Sequence, residues 1–585
     1  MKRNLILLAI LLLNATMLCA QLSPVFNHLS VTNAAKDSRS RVFLSPKKIL
    51  WKSDDTGKYI HGAENILKPG NGQAELVNKD LVMLKSDDTV KPGILLDYGK
   101  ELHGGLQLVT GMMDKNAPVK VRIRFGESAS EAMADIDTLT GATNDHAIRD
   151  LVIDLPWLGG LELGNTGFRF VRIDLVDANS TLLLKEARAI FTFRDIPYAG
   201  SFRSNDERLN QVWATGAYTV HLNMQQYLWD GIKRDRLVWV GDMHPEVMTI
   251  NTVFGFNEIV PQSLDLIKEV TPLPAWMNGI SSYSMWWIRI QRDWFLYQGD
   301  LTYLEKQQDY LVALLNQLIG KIKGNKEDLD GMRFMDWPTF SNKPAVHAGL
   351  QAMMVMTLTD GAELCRILGD LETAKKCEAA VKRLRKGAPD AGGNKQAAAL
   401  LALADLIPAE KANREVIAIG GTKDFSTFYG YYMLEAKAKA GDYQGAIDNI
   451  RTYWGGMLDM GATTFWEDFD EQWMENAARI DELVPKGKID IHAAYGAHSY
   501  KKLRHSLAHG WASGPTSWLT QHVLGVKVME PGCKVLKIDP HLGDLKFVEG
   551  TFPTPFGIVK IKHTKMADGR INSVIDAPNG ITVIK

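Results

Sequence analysis

The period at which apolar residues recur changes twice along the chain. From about Phe26 to Ala199 it is close to two, as in Val119-Lys-Val-Arg-Ile-Arg-Phe125, Phe168-Arg-Phe-Val-Arg-Ile-Asp-Leu175 and Ala189-Ile-Phe-Thr-Phe193. Strands with one buried face need that alternation, and Gly- and Asp-containing turns lie between these runs. An antiparallel β-sandwich over residues 21–200 is predicted. At Ser204-Asn205-Asp206 the pattern shifts. Asn205 or Asp206 offers an N-cap, and Leu209, Val212, Trp213, Ala217 and Val220 follow at helical spacing. Helical stretches then recur at roughly 205–225, 243–257, 260–270, 280–298, 301–323, 345–368, 370–386, 393–404, 408–417, 425–440, 442–454 and 497–525. Twelve helices suit six hairpins closing into an (α/α)6 barrel over residues 201–525. An irregular helical domain or a solenoid is the alternative, but no sequence unit repeats. After Leu524-Gly525 strands return in Cys533–Asp539 and Gly557–Lys562, with Asp568-Gly569 and Asn579-Gly580 as hairpin turns, so a small C-terminal β-domain occupies residues 526–585. The fold class is multidomain α+β.

Bulk properties narrow the function. A chain of 585 residues is too long for one ordinary domain, and 45% hydrophobic with 23% charged residues is a globular composition. A net charge of -1 gives no electrostatic case for nucleic acid or an anionic membrane. Lys2, Arg3 and the apolar run Leu5–Leu13 form an export signal, with cleavage expected after Ala20. That run is too short to span a bilayer, and no later stretch reads as a transmembrane helix. A secreted protein, in the bacterial periplasm, is expected. Signal removal leaves Cys365, Cys377 and Cys533, an odd number that excludes a fully paired framework. No Cys/His spacing reads as a zinc site, and neither metal nor cofactor is expected. Oligomeric state is left open.

Thirteen of the fifteen tryptophans fall between Trp213 and Trp518, so aromatic faces concentrate in the helical region, where core packing competes with sugar stacking as the explanation. The densest cluster of candidate chemistry is Trp229-Asp-Gly-Ile-Lys-Arg-Asp-Arg-Leu-Val-Trp-Val-Gly-Asp242, a loop between two helices carrying Asp230, Arg234, Asp235, Trp239 and Asp242. It reads equally as a solvated salt-bridge loop. A second cluster is Gly461-Ala-Thr-Thr-Phe-Trp-Glu-Asp-Phe-Asp470, in which Phe465 and Trp466 suggest that Glu467 is partly buried. Lesser candidates are Asp336-Trp337, the Tyr283–Trp287 stripe, which reads as core, and His509, which alone reads as structural. Two separated carboxylate clusters suit glycoside hydrolysis, which needs one acid for the leaving oxygen and another group to activate water or attack the sugar. Nearby tryptophans raise an acid's pKa and adjacent arginines lower it. Sequence leaves that balance open.

These motifs resemble the α-L-rhamnosidases of glycoside hydrolase family 78. Asp230…Arg234-Asp235-Arg236…Trp239-Val-Gly-Asp242 resembles the family's acidic loop, and Gly461–Glu467 its second acidic motif. Asp336-Trp337, Ser506-Leu-Ala-His509, Leu95–Gly104 and Pro553–Gly557 resemble supporting segments. The resemblance implies an inverting hydrolase that removes terminal α-L-rhamnose from plant-derived glycans or glycosides without a metal. Asp235 would be the general acid and Glu467 the general base, their carboxyls roughly 6.5–9.5 Å apart. Asp230, Arg234, Trp239, Asp242, Asp336, Trp337 and His509 would bind the sugar. The family commonly has Glu where this chain has Asp235, which leaves Asp230 as an alternative acid. Rival functions are the same barrel acting on an L-arabinose-type or uronic sugar, a phosphorylase, and a catalytically silent glycan-binding protein.

Overall fold

The computed structural model describes residues 37–113, 115–496 and 500–585. The export signal expected at residues 1–20 lies outside them. Ser40–Lys585 form one compact unit.

The strands of the first region all pair antiparallel, but they join one nine-stranded network rather than two separate sheets. The long strand Gly93–Thr110 explains why. Its register breaks between Asp97 and Leu102 and again between Gly104 and Leu106, and such bulges bend a strand. Its first part pairs with Lys48–Lys52 and its second with Thr181–Phe193, while Gly160–Leu175 follows it across both parts. The period-two apolar residues expected from sequence meet inside, with Val121, Ile123, Phe125, Phe168, Val171 and Ile173 fully buried.

Six helices close a ring. Met243–Val253 packs on Ser281–Gln298, which packs on Lys343–Ile367, followed by Lys395–Leu403, Gly430–Lys439 and Gly514–Trp518, which returns to Met243–Val253. Members of such a ring touch neighbours on every side, and all eleven residues of Met243–Val253 are buried. Leu301–Gly320 and Leu371–Leu384 instead pack on the ring with one face and expose the other, as amphipathic outer helices do. Asp206, not Asn205, caps the first helix, Glu207–Asn223, by accepting the N–H groups of Arg208 and Leu209.

Two elements differ from expectation. Residues 500–509 contain only a single turn at Lys502–Arg504, and where a 497–525 helix was expected a short turn at Gly510–Ser513 leads into the helix Gly514–Trp518, with Pro515 in its first turn. Asn579-Gly580 is not a hairpin turn. The chain leaves the Phe547–Asp576 meander there, and Thr582–Ile584 pairs in parallel with Val535–Lys537 in another sheet. That meander also takes Ser201–Ser204 as an edge strand, so the C-terminal β-region borrows a strand from before the barrel. Among the described residues no helix is long and apolar enough to cross a membrane.

Candidate active site

Loops at the ends of the inner helices gather at one mouth of the ring. They surround a cavity of about 320 Å³ lined by Asp230, Arg234, Asp235, Trp239, Asp242, Tyr283, Trp337, Glu467, Tyr500, His509 and Trp511, among others. This is at the small end of the range for small-molecule sites. Eight of the nine sequence candidates line it.

The 229–242 loop is shaped by its own backbone and by the β-region. Asp230 N–H donates to Leu237 C=O (3.1 Å), and Leu237 N–H donates back to Asp230 Oδ1 (3.0 Å). The reversal between them puts Asp235 and Arg236 at φ of 51° and 55°, strained for residues with a Cβ and needing outside support. Arg236 provides some of it by donating to the carbonyls of Asn165 and His146, both at 2.9 Å. Lys233 provides more. Its ammonium is buried, donates to the carbonyls of Leu503 and His505 (3.0 and 2.7 Å), and lies 3.0 and 3.4 Å from the Glu127 and Glu131 carboxylates.

Glu467 sits at the end of its loop, where its own N–H donates to Ser506 C=O (3.0 Å) and its carbonyl accepts from Trp511 Nε1 (2.9 Å). Its carboxylate is fully enclosed and paired with the Arg234 guanidinium. Burial alone would raise its pKa. Arg234 and then the His509 and His505 rings outweigh burial and hold it well below the ordinary carboxylate range. Arg234 also lies 3.5 Å from Asp235 Oδ2 and packs over the Tyr500 ring. Asp235 and Glu467 therefore reach one guanidinium and face one hollow.

The floor behaves oppositely. Burial pushes Asp230 up to about 8, against the attraction of His509 and with the repulsion of Asp242 adding to it. Asp242 is also raised by burial, although His509 and the Tyr283 hydroxyl, donating at 2.8 Å, oppose the shift. His509 Nε2 is 3.4 Å from Asp242 Oδ2. Burial works against its charged form, but Glu467 and Asp242 raise its pKa overall. Near neutrality the cavity thus offers an ionised carboxylate at Glu467 and a neutral carboxyl at Asp230. The first can take a proton and the second can donate a hydrogen bond or a proton.

Asp336 is the exception among the candidates. Its carboxyl turns away from the cavity to accept Ser426 Oγ (2.5 Å) and the Trp337 N–H (2.9 Å). Burial raises its pKa to about 7. It fixes the backbone on which Trp337 is carried into the wall. Tyr283 corrects the sequence reading in the other direction. Trp286 and Trp287 are fully buried as expected, but Tyr283, one turn earlier, meets the cavity and Asp242. Trp511, Tyr500 and Asn278 also line the cavity without having been singled out. Trp511, two residues after His509, carried a signal of sorts, whereas Tyr500 lies in irregular chain without periodicity.

Ligand atoms of Glu127, Glu131 and His492 lie within 4.8 Å of one another, a spacing compatible with a cation. The Lys233 ammonium supplies positive charge there, and His492 uses both ring nitrogens, Nδ1 with Ser128 Oγ (2.7 Å) and Nε2 with His505 C=O (3.0 Å). A second hollow of about 330 Å³ lies between inner helices. Charges on its walls satisfy each other, Arg289 with Asp360 and His244 with Asp293, both at 2.9 Å.

Residues 197–523, more than half of the chain, match the bacterial α-L-rhamnosidase six-hairpin glycosidase domain. The chain belongs to this family. An α-L-rhamnosidase of Alteromonas sp. (strain LOR) is 27% identical over 547 residues, covering 84% of this chain and 55% of that protein. An α-L-rhamnosidase of Formosa agariphila is 24% identical, covering 67% and 44%. The chain thus spans about half the length of the curated relatives it matches. Among solved structures, the family 78 rhamnosidase of Bacillus sp. GL1 superposes with a TM-score of 0.71 at 21% identity, over 89% of this chain and 55% of that one. The Klebsiella oxytoca rhamnosidase with rhamnose bound gives 0.65 at 18%, over 84% and 98%. At these identities the family's structures share the fold with this chain, a six-hairpin barrel between β-regions.

Proposed function

We propose that this chain hydrolyses terminal α-L-rhamnosides of plant-derived glycans with inversion, Asp235 protonating the leaving oxygen and Glu467 activating water. The observation that carries the reading is the enclosed Arg234–Glu467 pair facing the cavity that Asp235 also lines. A general base must be ionised where substrate excludes water, and a permanent cation beside it holds it so in a buried site. Asp230, Asp242 and His509 supply polar contacts to sugar hydroxyls, while Trp239, Trp337 and Trp511 supply apolar faces. Support for rhamnose over another sugar comes from family membership and from the rhamnose-bound relative of the same fold. The pattern Lys2-Arg3 followed by Leu5–Leu13 supports action outside the cytoplasm.

The test is turnover by the purified chain of p-nitrophenyl α-L-rhamnoside beside the corresponding α-L-arabinoside and glucuronide, with and without phosphate. Preferential release from the rhamnoside, independent of phosphate, is expected. Faster release from another sugar, phosphate-dependent release, or binding of rhamnose with no release from any substrate refutes the proposal.

A further inference from the structure

Asn278 lines the cavity from a short turn, Met277–Gly279, just ahead of the inner helix Ser281–Gln298. Its side chain is spent on a segment 38 to 40 residues earlier. Oδ1 accepts the Val240 N–H (3.2 Å), and Nδ2 donates to Val238 C=O (3.1 Å). Only one orientation of the amide satisfies both, because a backbone N–H can only donate and a carbonyl can only accept. The two bonded residues flank Trp239, whose own carbonyl accepts the Asp242 N–H (2.9 Å). The backbone is thus held at three consecutive residues, and the indole carried on the middle one meets the cavity and the Tyr283 ring, edge-on at 6.1 Å.

The turn suits this task. At Asn278 the backbone is left-handed, with φ 52° and ψ 18°, a region that asparagine and glycine enter at small cost. Val238 and Val240 are buried, where peptide groups need protein partners. The same turn reaches another part of the wall. Met332 N–H donates to Gly279 C=O, and Ser281 N–H donates to Met332 C=O, both at 3.3 Å. Trp239, Ile280 and Met332 come from three separate stretches of chain and all line the cavity. Through this turn they are set against one another.

We propose that Asn278 is a positioning residue for Trp239, an assignment that rests on the reading of Trp239 as a sugar-binding face. The clamp fixes the indole before substrate arrives, so binding does not have to order it. A wall that meets the sugar equally in the ground and transition states acts on KM and leaves kcat alone. The rival role is direct contact, since the amide keeps a second Nδ2 hydrogen and a second Oδ1 lone pair that a sugar hydroxyl could take. The two roles differ in whether the effect of Asn278 passes through Trp239.

Asn278→Gly removes the amide and keeps the left-handed turn. KM for p-nitrophenyl α-L-rhamnoside should rise about 10-fold, within the scale of two ordinary hydrogen bonds, with kcat within about 3-fold of the wild type. Trp239→Ala should raise KM by at least as much. Adding Asn278→Gly to Trp239→Ala should then raise it by less than about 2-fold more, because residues that act as one unit are not additive. Should Asn278→Gly fail to fold, Asn278→Asp removes only the donor to Val238 C=O and must show a rise in KM with the same dependence on Trp239. A further rise of about 10-fold in the Trp239→Ala background overturns the clamp in favour of direct contact. A loss confined to kcat, or no effect of Asn278→Gly, also overturns it. An unchanged KM in Trp239→Ala overturns the reading of Trp239 and the clamp with it, while wild-type turnover leaves the rhamnosidase reading intact. Without wild-type turnover the rhamnosidase reading fails, and the same cycle read from the calorimetric Kd for L-rhamnose decides the clamp on the same terms.

Discussion

Replacing Arg234 by methionine isolates what keeps Glu467 ionised. Both side chains are nearly inaccessible, so the partner's loss leaves a carboxylate in a site where burial is the largest single influence on it. Removing one member of a buried ion pair costs about 3–5 kcal/mol. At 1.36 kcal/mol per pKa unit this is a rise of roughly 2–4 units. The His509 and His505 rings still face Glu467, which places the expected shift toward the lower end. In the wild type the depressed pKa means that Glu467's contribution to stability is present above its unfolded value and is lost only as pH falls through the folded one. In the variant a rise of that size returns Glu467 to the ordinary carboxylate range, so the base becomes protonated on the acidic side of neutrality. The acid limb of kcat/KM against pH on p-nitrophenyl α-L-rhamnoside, which reports the free enzyme, should move upward by about 2 units or more, with activity recovered toward neutrality. Far-ultraviolet circular dichroism confirms that the variant is folded. An unmoved acid limb in a folded Arg234→Met protein would refute the argument that this guanidinium sets the charge of the base.

Three further outcomes follow from the same geometry. Glu467→Gln should abolish hydrolysis while rhamnose binding measured by calorimetry stays within about 10-fold, and full turnover removes Glu467 from the mechanism. Asp230 has a folded pKa of about 8, above its unfolded value, so its contribution to stability is complete below pH 4 and is lost as pH rises toward 8, on the order of 1 kcal/mol per pH unit. Asp230→Asn should therefore gain thermal stability over the wild type near pH 8 but not at pH 4. It should also lose activity on nitrophenyl and disaccharide substrates alike, as a residue that holds sugar hydroxyls does, whereas loss on disaccharides alone would instead make Asp230 the acid. Lys233→Met leaves Glu127 and Glu131 buried together without their ammonium, and chemical denaturation should show a loss of about 3–5 kcal/mol, an unchanged midpoint being the contrary result.

Much of this architecture was legible because periodicity reports burial. The inner helices read as helices from their apolar spacing, and the six-member ring followed from their number. Segments without periodicity were not legible. Residues 500–509 are irregular chain around one short turn, whose carbonyls at Leu503 and His505 are spent on Lys233, a demand that originates 270 residues earlier. In the site, Asp230, Asp235 and Glu467 were found because acids beside aromatics and glycines stand out in a loop. Asp336 was included on the same grounds, but sequence cannot show that Ser426 claims its carboxyl. His146 carried no local signal at all. It meets Asp235 only because the β-region docks beside the barrel, through contacts such as Arg169 with Gly461 C=O (3.1 Å) and Glu101 N–H with Thr463 Oγ1 (2.9 Å).

The central claim is that water, activated by Glu467, reaches the anomeric carbon from the side opposite the departing group. Proton NMR of wild-type hydrolysis, recorded before mutarotation equilibrates the sugar, tests it directly. The account predicts that β-L-rhamnose appears first from an α-L-rhamnoside; initial release of the α anomer would contradict it.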